Sequence, residues 1–83
     1  MTIYEILAKE SADALEAGYG DIEAASMADA MRHVLANLEG MQLEEAVEII
    51  IDGEDSHLTA FRTEDGWEVH SYDSDGNDEV ISL

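Results

Sequence analysis

The sequence predicts an α+β fold, with an N-terminal αα-hairpin packed on a 3–4-stranded antiparallel β-meander. Three observations predict it. Apolar residues recur at helical spacing as far as Leu38, in two stretches divided by glycines. From Val47 onward the apolar runs become β-branched and aromatic. Those runs are separated by Asp-Gly pairs at 52–53, 65–66 and 75–76, a hairpin signal. The 83 residues fit one compact domain, with 1–40 as the helical hairpin and 41–83 as the sheet.

Taken in order, residues 1–17 read as the first helix. Thr2 and Glu5 make a T-x-x-E capping box, which satisfies two backbone donors at a helix start. Ile3, Ile6, Leu7, Ala14 and Leu15 fall on one helical face, and Glu5 precedes Lys9 at the favourable i,i+4 spacing. Gly18 and Gly20 in "GYGD" end the helix. Asp21, or Ser26 with Asp29 one turn later, caps the second helix. Its stripe is Ile22, Met27, Ala28, Met31, Val34, Leu35 and Leu38, with Gly40 as terminator and Met41 folding back. The methionines Met27, Met31 and Met41 read as core filling. In "MQLEEAVEIIID" a short helical turn at 43–46 leads into a strand at 47–52. The runs "SHLTAFRT", "WEVHSYD" and "EVISL" supply the remaining strands.

Charge sets this chain apart. Its 21 acids face only Lys9, Arg32 and Arg62, a formal net charge of −18. A field of that sign repels nucleic acid and anionic membrane, so neither is an expected direct partner, and a basic partner is favoured. The absence of Cys excludes a disulfide framework, thiolate zinc sites and a cysteine nucleophile. No apolar run approaches the roughly 18–20 residues of a membrane span. "MTIYEILAKE" lacks the basic flank and apolar block of a signal peptide, so the expected compartment is the cytosol.

Chemistry-bearing motifs are sparse. "DSDGNDEV" places Asp73, Asp75 and Asn77 at positions 1, 3 and 5 of a calcium loop, but position 6 is Asp78 where the loop needs glycine. It reads as an acidic β-turn. His33, His57 and His70 show no H-x-x-x-H or H-x-E spacing. There is no G-x-S-x-G and no phosphate-binding glycine loop, so no enzymatic activity and no cofactor are expected.

How the carboxylates are arranged therefore decides the functional reading. A domain of this size exposes about 4,900 Å². Spread evenly, 18 net charges would sit roughly 16 Å apart, about twice the ~8 Å screening length at physiological salt. Duplex DNA carries one charge per ~1.7 Å of axis, so carboxylates that compete with it must be concentrated. In a four-strand meander the first and third turns share one end of the sheet. That brings Asp52, Glu54 and Asp55 beside Asp73, Asp75, Asp78 and Glu79, with Glu64, Asp65 and Glu68 as a second cluster at the opposite end. Each would act as a phosphate surrogate accepting charge-assisted hydrogen bonds. Tyr19, Trp67 and Tyr72 are candidate anchors for such a contact, with Trp67 favoured as core.

In size, acidity, absence of Cys and αα-plus-meander outline, the chain resembles small inhibitors of bacterial defence encoded by phages and mobile elements. Among these it is most similar to anti-CRISPR proteins that act on type I surveillance complexes, some of which are acidic DNA mimics. The resemblance is one of character over the whole chain. It implies a non-enzymatic protein that binds the basic nucleic-acid-binding surface of a CRISPR effector complex and blocks target DNA, with an anti-restriction protein or an inhibitor of another DNA-binding enzyme as neighbouring readings; a monomer is favoured. The alternative expectation is a halophile-adapted acidic binding or adaptor domain, whose carboxylates maintain solubility in concentrated salt.

Overall fold

The first forty residues do not form a helical hairpin. The computed structural model describes residues 1–83, and in it residues 2–24 contribute two strands to the sheet. These are β1 (Thr2–Lys9) and β2 (Ala17–Ala24), followed by a single helix, α1 (Met27–Ala36). Then come β3 (Glu48–Asp52), β4 (Ser56–Thr63), β5 (Gly66–Asp73) and β6 (Asp78–Ile81). All neighbouring strands are antiparallel, in the order β2-β1-β3-β4-β5-β6.

The error at the N-terminus has a physical source. "TIYEILAK" satisfies two periodicities at once. Ile3, Ile6 and Leu7 fit a helix, while Tyr4, Ile6 and Ala8 alternate as one face of a strand. Two things favour the strand. Thr, Tyr and two Ile suit a pleated surface, and β3 lies beside β1 to pair with it. Lys9 consequently pairs with Glu48 across the sheet at 3.3 Å, and not with Glu5. Gly18 and Gly20 are not helix terminators. They flank a β-bulge in β2, where the register jumps from Ile6 opposite Gly20 to Leu7 opposite Gly18 and leaves Tyr19 as the extra residue. Asp21 lies in β2 and caps nothing.

The helix that does form starts at the second predicted cap. Ser26 is extended, and its side chain accepts from the Asp29 amide at 3.1 Å. The helix stops at Asn37, three residues before Gly40, and the Asn37 side chain donates to the His33 carbonyl at 2.7 Å. Ala30, Met31 and Val34 project from one face onto the sheet and are fully buried.

The core lies between α1 and one face of the sheet. Ile6, Ile49, Ile51, Leu58, Ala60 and Val69 rise from four adjacent strands to meet the helix. Leu43 and Ala46, from the irregular segment 37–47, complete the layer. Burying one large aliphatic side chain contributes about 1.5–3 kcal/mol. Arg62 ties that segment down: Nε donates to the Ala46 carbonyl and Nη2 to the Glu44 carbonyl, both at 2.8 Å. Its guanidinium also stacks 4.5 Å from the centre of the Trp67 ring. Trp67 is half-buried and packs against the core.

The four C-terminal strands match the predicted meander. Ser56 opposes Asp73, so the β3–β4 and β5–β6 turns do share one end of the sheet. Gly53 is required in the first of these turns. A Cβ there would come within 3.0 Å of both Met27 Sδ and the Ser56 carbonyl, where the turn meets the start of α1. Gly76 supplies the second turn with a φ of +85°. No helix is long and apolar enough to cross a membrane.

Candidate functional site

No part of the chain covers the other face of the sheet. The registers align its side chains in rows that cross the strands. One row runs through all six: Asp21, Glu5, Asp52, His57, Tyr72 and Asp78. The next carries Gly18, Leu7, Ile50, Thr59, His70 and Val80 and has no carboxylate. A third holds Lys9, Glu48, Phe61 and Glu68. Glu23 lies opposite Ile3, beyond the first row. Seven carboxylates thus frame a central strip that is apolar and aromatic.

The strip is ordered by ring packing. The His57 and Tyr72 rings stack with centroids 4.9 Å apart, and Tyr72 and His70 lie 6.1 Å apart at 18°. Phe61 meets His70 edge-on at 5.3 Å. His70 bridges two carboxylates, with Nδ1 2.9 Å from Asp78 Oδ1 and Nε2 3.6 Å from Glu68 Oε1. Thr59 and Ile50 beneath these rings are buried even though no element covers the face. Partial burial, and next the charge of Asp78, raise the Tyr72 phenol above its ordinary value.

The carboxylates of the first row are close enough to act together. Adjacent strands lie about 4.8 Å apart, so Asp21, Glu5 and Asp52 occupy neighbouring positions well inside the ~8 Å screening length. That spacing is of the same order as the ~3.4 Å of axis per charge along one strand of duplex DNA. No base neutralises them. Lys9 is held by Glu48, Arg32 by Asp29, and Arg62 by backbone carbonyls and Trp67. Of the 21 carboxylates only Glu48 and Asp29 have a Lys or Arg partner, which leaves 19 without one.

The residues singled out from sequence divide between two faces and two ends. Asp52 and Asp78 lie in the first row. Glu54 and Asp55 form the adjoining β3–β4 turn, and Asp75 the β5–β6 turn. Glu79 opposes Ser71 and so lies on the helix side of the sheet, away from Asp78. Glu64 and Asp65 make the β4–β5 turn at the opposite end, as expected. Glu68 lies on the open face beside His70, two pairs in from the Thr63–Gly66 pair that closes this turn. Glu5, Asp21, Glu23 and Glu48 join the face only in the folded chain, because the sequence pattern alone assigns Glu5 to a helix and Asp21 to a helix cap. The alternation in "TIYEILAK" was the available signal for Glu5.

Asp73 has a structural task. Its Oδ1 accepts from the Asn77 amide at 2.9 Å and the Asp75 amide at 3.0 Å, and Oδ2 accepts from the Asn77 side chain at 3.0 Å. The Asn77 bonds first, then that from Asp75, hold its carboxyl below the usual carboxylate range. The "DSDGND" stretch is therefore an Asx-stabilised turn whose leading carboxylate points at its own backbone. No group of three or more His, Asp or Glu side chains is placed to hold a metal ion.

Fold and face together define a two-layer domain, dominated by antiparallel sheet, with one helix on one side and an open acidic and aromatic surface on the other. Compared with protein-family models, curated proteins and solved structures, the chain matches none. The αα-plus-meander outline that carried part of the resemblance to anti-defence inhibitors is not the outline the chain adopts; its acidity and size remain.

Proposed function

We propose that this protein is a non-enzymatic inhibitor whose open sheet face engages the basic, nucleic-acid-binding surface of another protein, its carboxylates standing where phosphates would bind. The partner proposed is a bacterial defence complex in the cytosol, with the type I CRISPR surveillance complex in first place. The carboxylate row Asp21, Glu5 and Asp52 across adjacent strands supports this reading, since nothing within the chain neutralises it. Like charges directly opposite one another weaken a sheet. A partner bearing Lys and Arg would relieve that repulsion on binding and release its own counterions.

Halophilic adaptation would acidify every solvent-facing element. Residues 25–38, which include α1, carry Asp29 as their only acid, and Arg32 pairs with it. The helix itself is thus close to neutral while the open face is acidic, which favours a directed surface.

The test is competition between this protein and target DNA for a purified type I surveillance complex. Between about 50 mM and about 200 mM salt the affinity should fall by orders of magnitude. A Glu5→Gln/Asp21→Asn/Asp52→Asn variant should bind more weakly and with a shallower salt dependence. A grip indifferent to salt, or undiminished in that variant, would end the phosphate-surrogate reading. Loss of structure in dilute buffer would point to the halophile instead.

A further inference from the structure

A second surface is unused by the open face. Where the β1–β2 loop meets the segment 42–46, a cleft of about 360 Å³ opens on the helix-side layer, at the small end of the range for binding pockets (about 300–1,000 Å³). Its apolar lining comes from Ala8, Leu15, Leu43 and Ala46, and Glu10 and Glu45 also line it. Leu15 is 91% exposed, although it stands beside a ready-made apolar concavity. One exposed leucine is ordinary. An exposed leucine on the wall of a cleft, with carboxylates and no base beside it, is a surface with an amphipathic complement.

The cleft is built by specific features. The bulge around Tyr19 turns its ring toward the segment after α1, where the hydroxyl donates to the Met41 carbonyl and ties β2 to that segment. On the far side Arg62 holds the Glu44 and Ala46 carbonyls, fixing the wall that Leu43, Glu45 and Ala46 provide. The wall formed by the segment after α1 is therefore anchored to the sheet from two sides.

We propose that this cleft docks an amphipathic basic segment of a partner protein. The segment inserts one aliphatic side chain against Leu15, Ala14 and Ala8, over a floor closed by Leu43 and Ala46, and sets Lys or Arg against Glu10 and Glu45. A second copy of this chain does not fit, because it would bring more carboxylates to the same rim against a net charge of −18. The proposal does not depend on the open-face reading, which uses other residues.

Fluorescence anisotropy with two labelled peptides of equal length and charge tests it: an amphipathic Leu/Lys helix, and a Gly/Lys peptide without leucine. The Leu/Lys peptide should bind about tenfold tighter or better, the scale set by burying one aliphatic side chain. Leu15→Ser should erase that advantage, and circular dichroism should show the fold unchanged because Leu15 is exposed. Glu10→Gln/Glu45→Gln should weaken the Leu/Lys peptide and flatten its salt dependence. His57→Ser/Tyr72→Ser on the open face should leave the advantage intact. Equal binding of the two peptides overturns the proposal, as does an advantage that survives Leu15→Ser or disappears only in the open-face variant.

Discussion

The two faces of this sheet are made by the same strands and differ in almost every respect. On the covered face Ile6, Ile49, Ile51, Leu58 and Val69 meet α1 without polar company, and the outer surface of that helix carries almost no net charge. On the open face alternate residues of the same strands present seven carboxylates around His57, Tyr72, His70 and Phe61. In each strand one residue's step separates the two environments. Within the strands, the pleat sets the aliphatic residues that contribute most of the folding energy on one side and a carboxylate row that opposes folding on the other.

The largest effect should come from testing the covered face alone. Ile51→Ala, at a fully buried position, should cost about 3–4 kcal/mol in chemical denaturation. Its open-face neighbour Ile50 is the control, and Ile50→Ala should cost clearly less because only neighbouring side chains shield it. Equal losses would mean that the open face is a second core, and the contrast drawn here would fail.

Next in size is Arg62→Ala, which removes two charged hydrogen bonds to carbonyls and the stack on Trp67. Because the side chain is partly exposed, the expected loss is about 1–2 kcal/mol. Hydrogen exchange should rise first in residues 43–46. Uniform loosening of the whole sheet would contradict the role given to this residue.

Glu5→Gln should act in the opposite direction. It removes a charge flanked by Asp21 and Asp52, so at low ionic strength stability should rise by about 1 kcal/mol, a Tm gain of about 4–8 °C. The gain should shrink in molar salt as screening takes over. Destabilisation at low salt would show that the row is not under repulsion.

The smallest effect is at Asp73. Its folded-state pKa lies below the unfolded one, so its contribution is present above the ordinary carboxylate range near pH 4 and is lost as pH falls through the depressed value. Carboxyl NMR should show Asp73 titrating below the usual carboxylate range. Asp73→Asn should remove this part of the acid sensitivity. If Asp73 titrates at the ordinary carboxylate value, the Asx-turn account of "DSDGND" is wrong.

The C-terminal half was legible because its signals are local. Asp-Gly turns set each hairpin, and the β-branched runs between them have lengths that only strands fit. The N-terminal half was not. Ile3, Ile6 and Leu7 suit a helix as well as a strand, and what selects the strand is pairing of Glu5 with Asp52 and of Lys9 with Glu48, 47 and 39 positions away in the chain. The same long-range register assembles the candidate site. Acidity near the β3–β4 and β5–β6 turns could be read from the sequence, whereas the row from Asp21 to Asp78 could not. For Glu68, nearness to the Glu64–Asp65 turn could be read from the sequence, whereas its contact with His70 could not.

Taken alone, the sequence determined the net charge, the absence of thiol chemistry, Ser26 as one of two candidate caps and the C-terminal run of hairpins, because each depends on composition or on neighbours a few residues apart. Only the tertiary structure decided that residues 2–24 are strands, that the sheet has six of them, and which carboxylates share a face. The physical reason is that a strand is completed by hydrogen bonds to a distant segment. Its two-residue alternation then assigns every side chain to a face as soon as that partner and register are set.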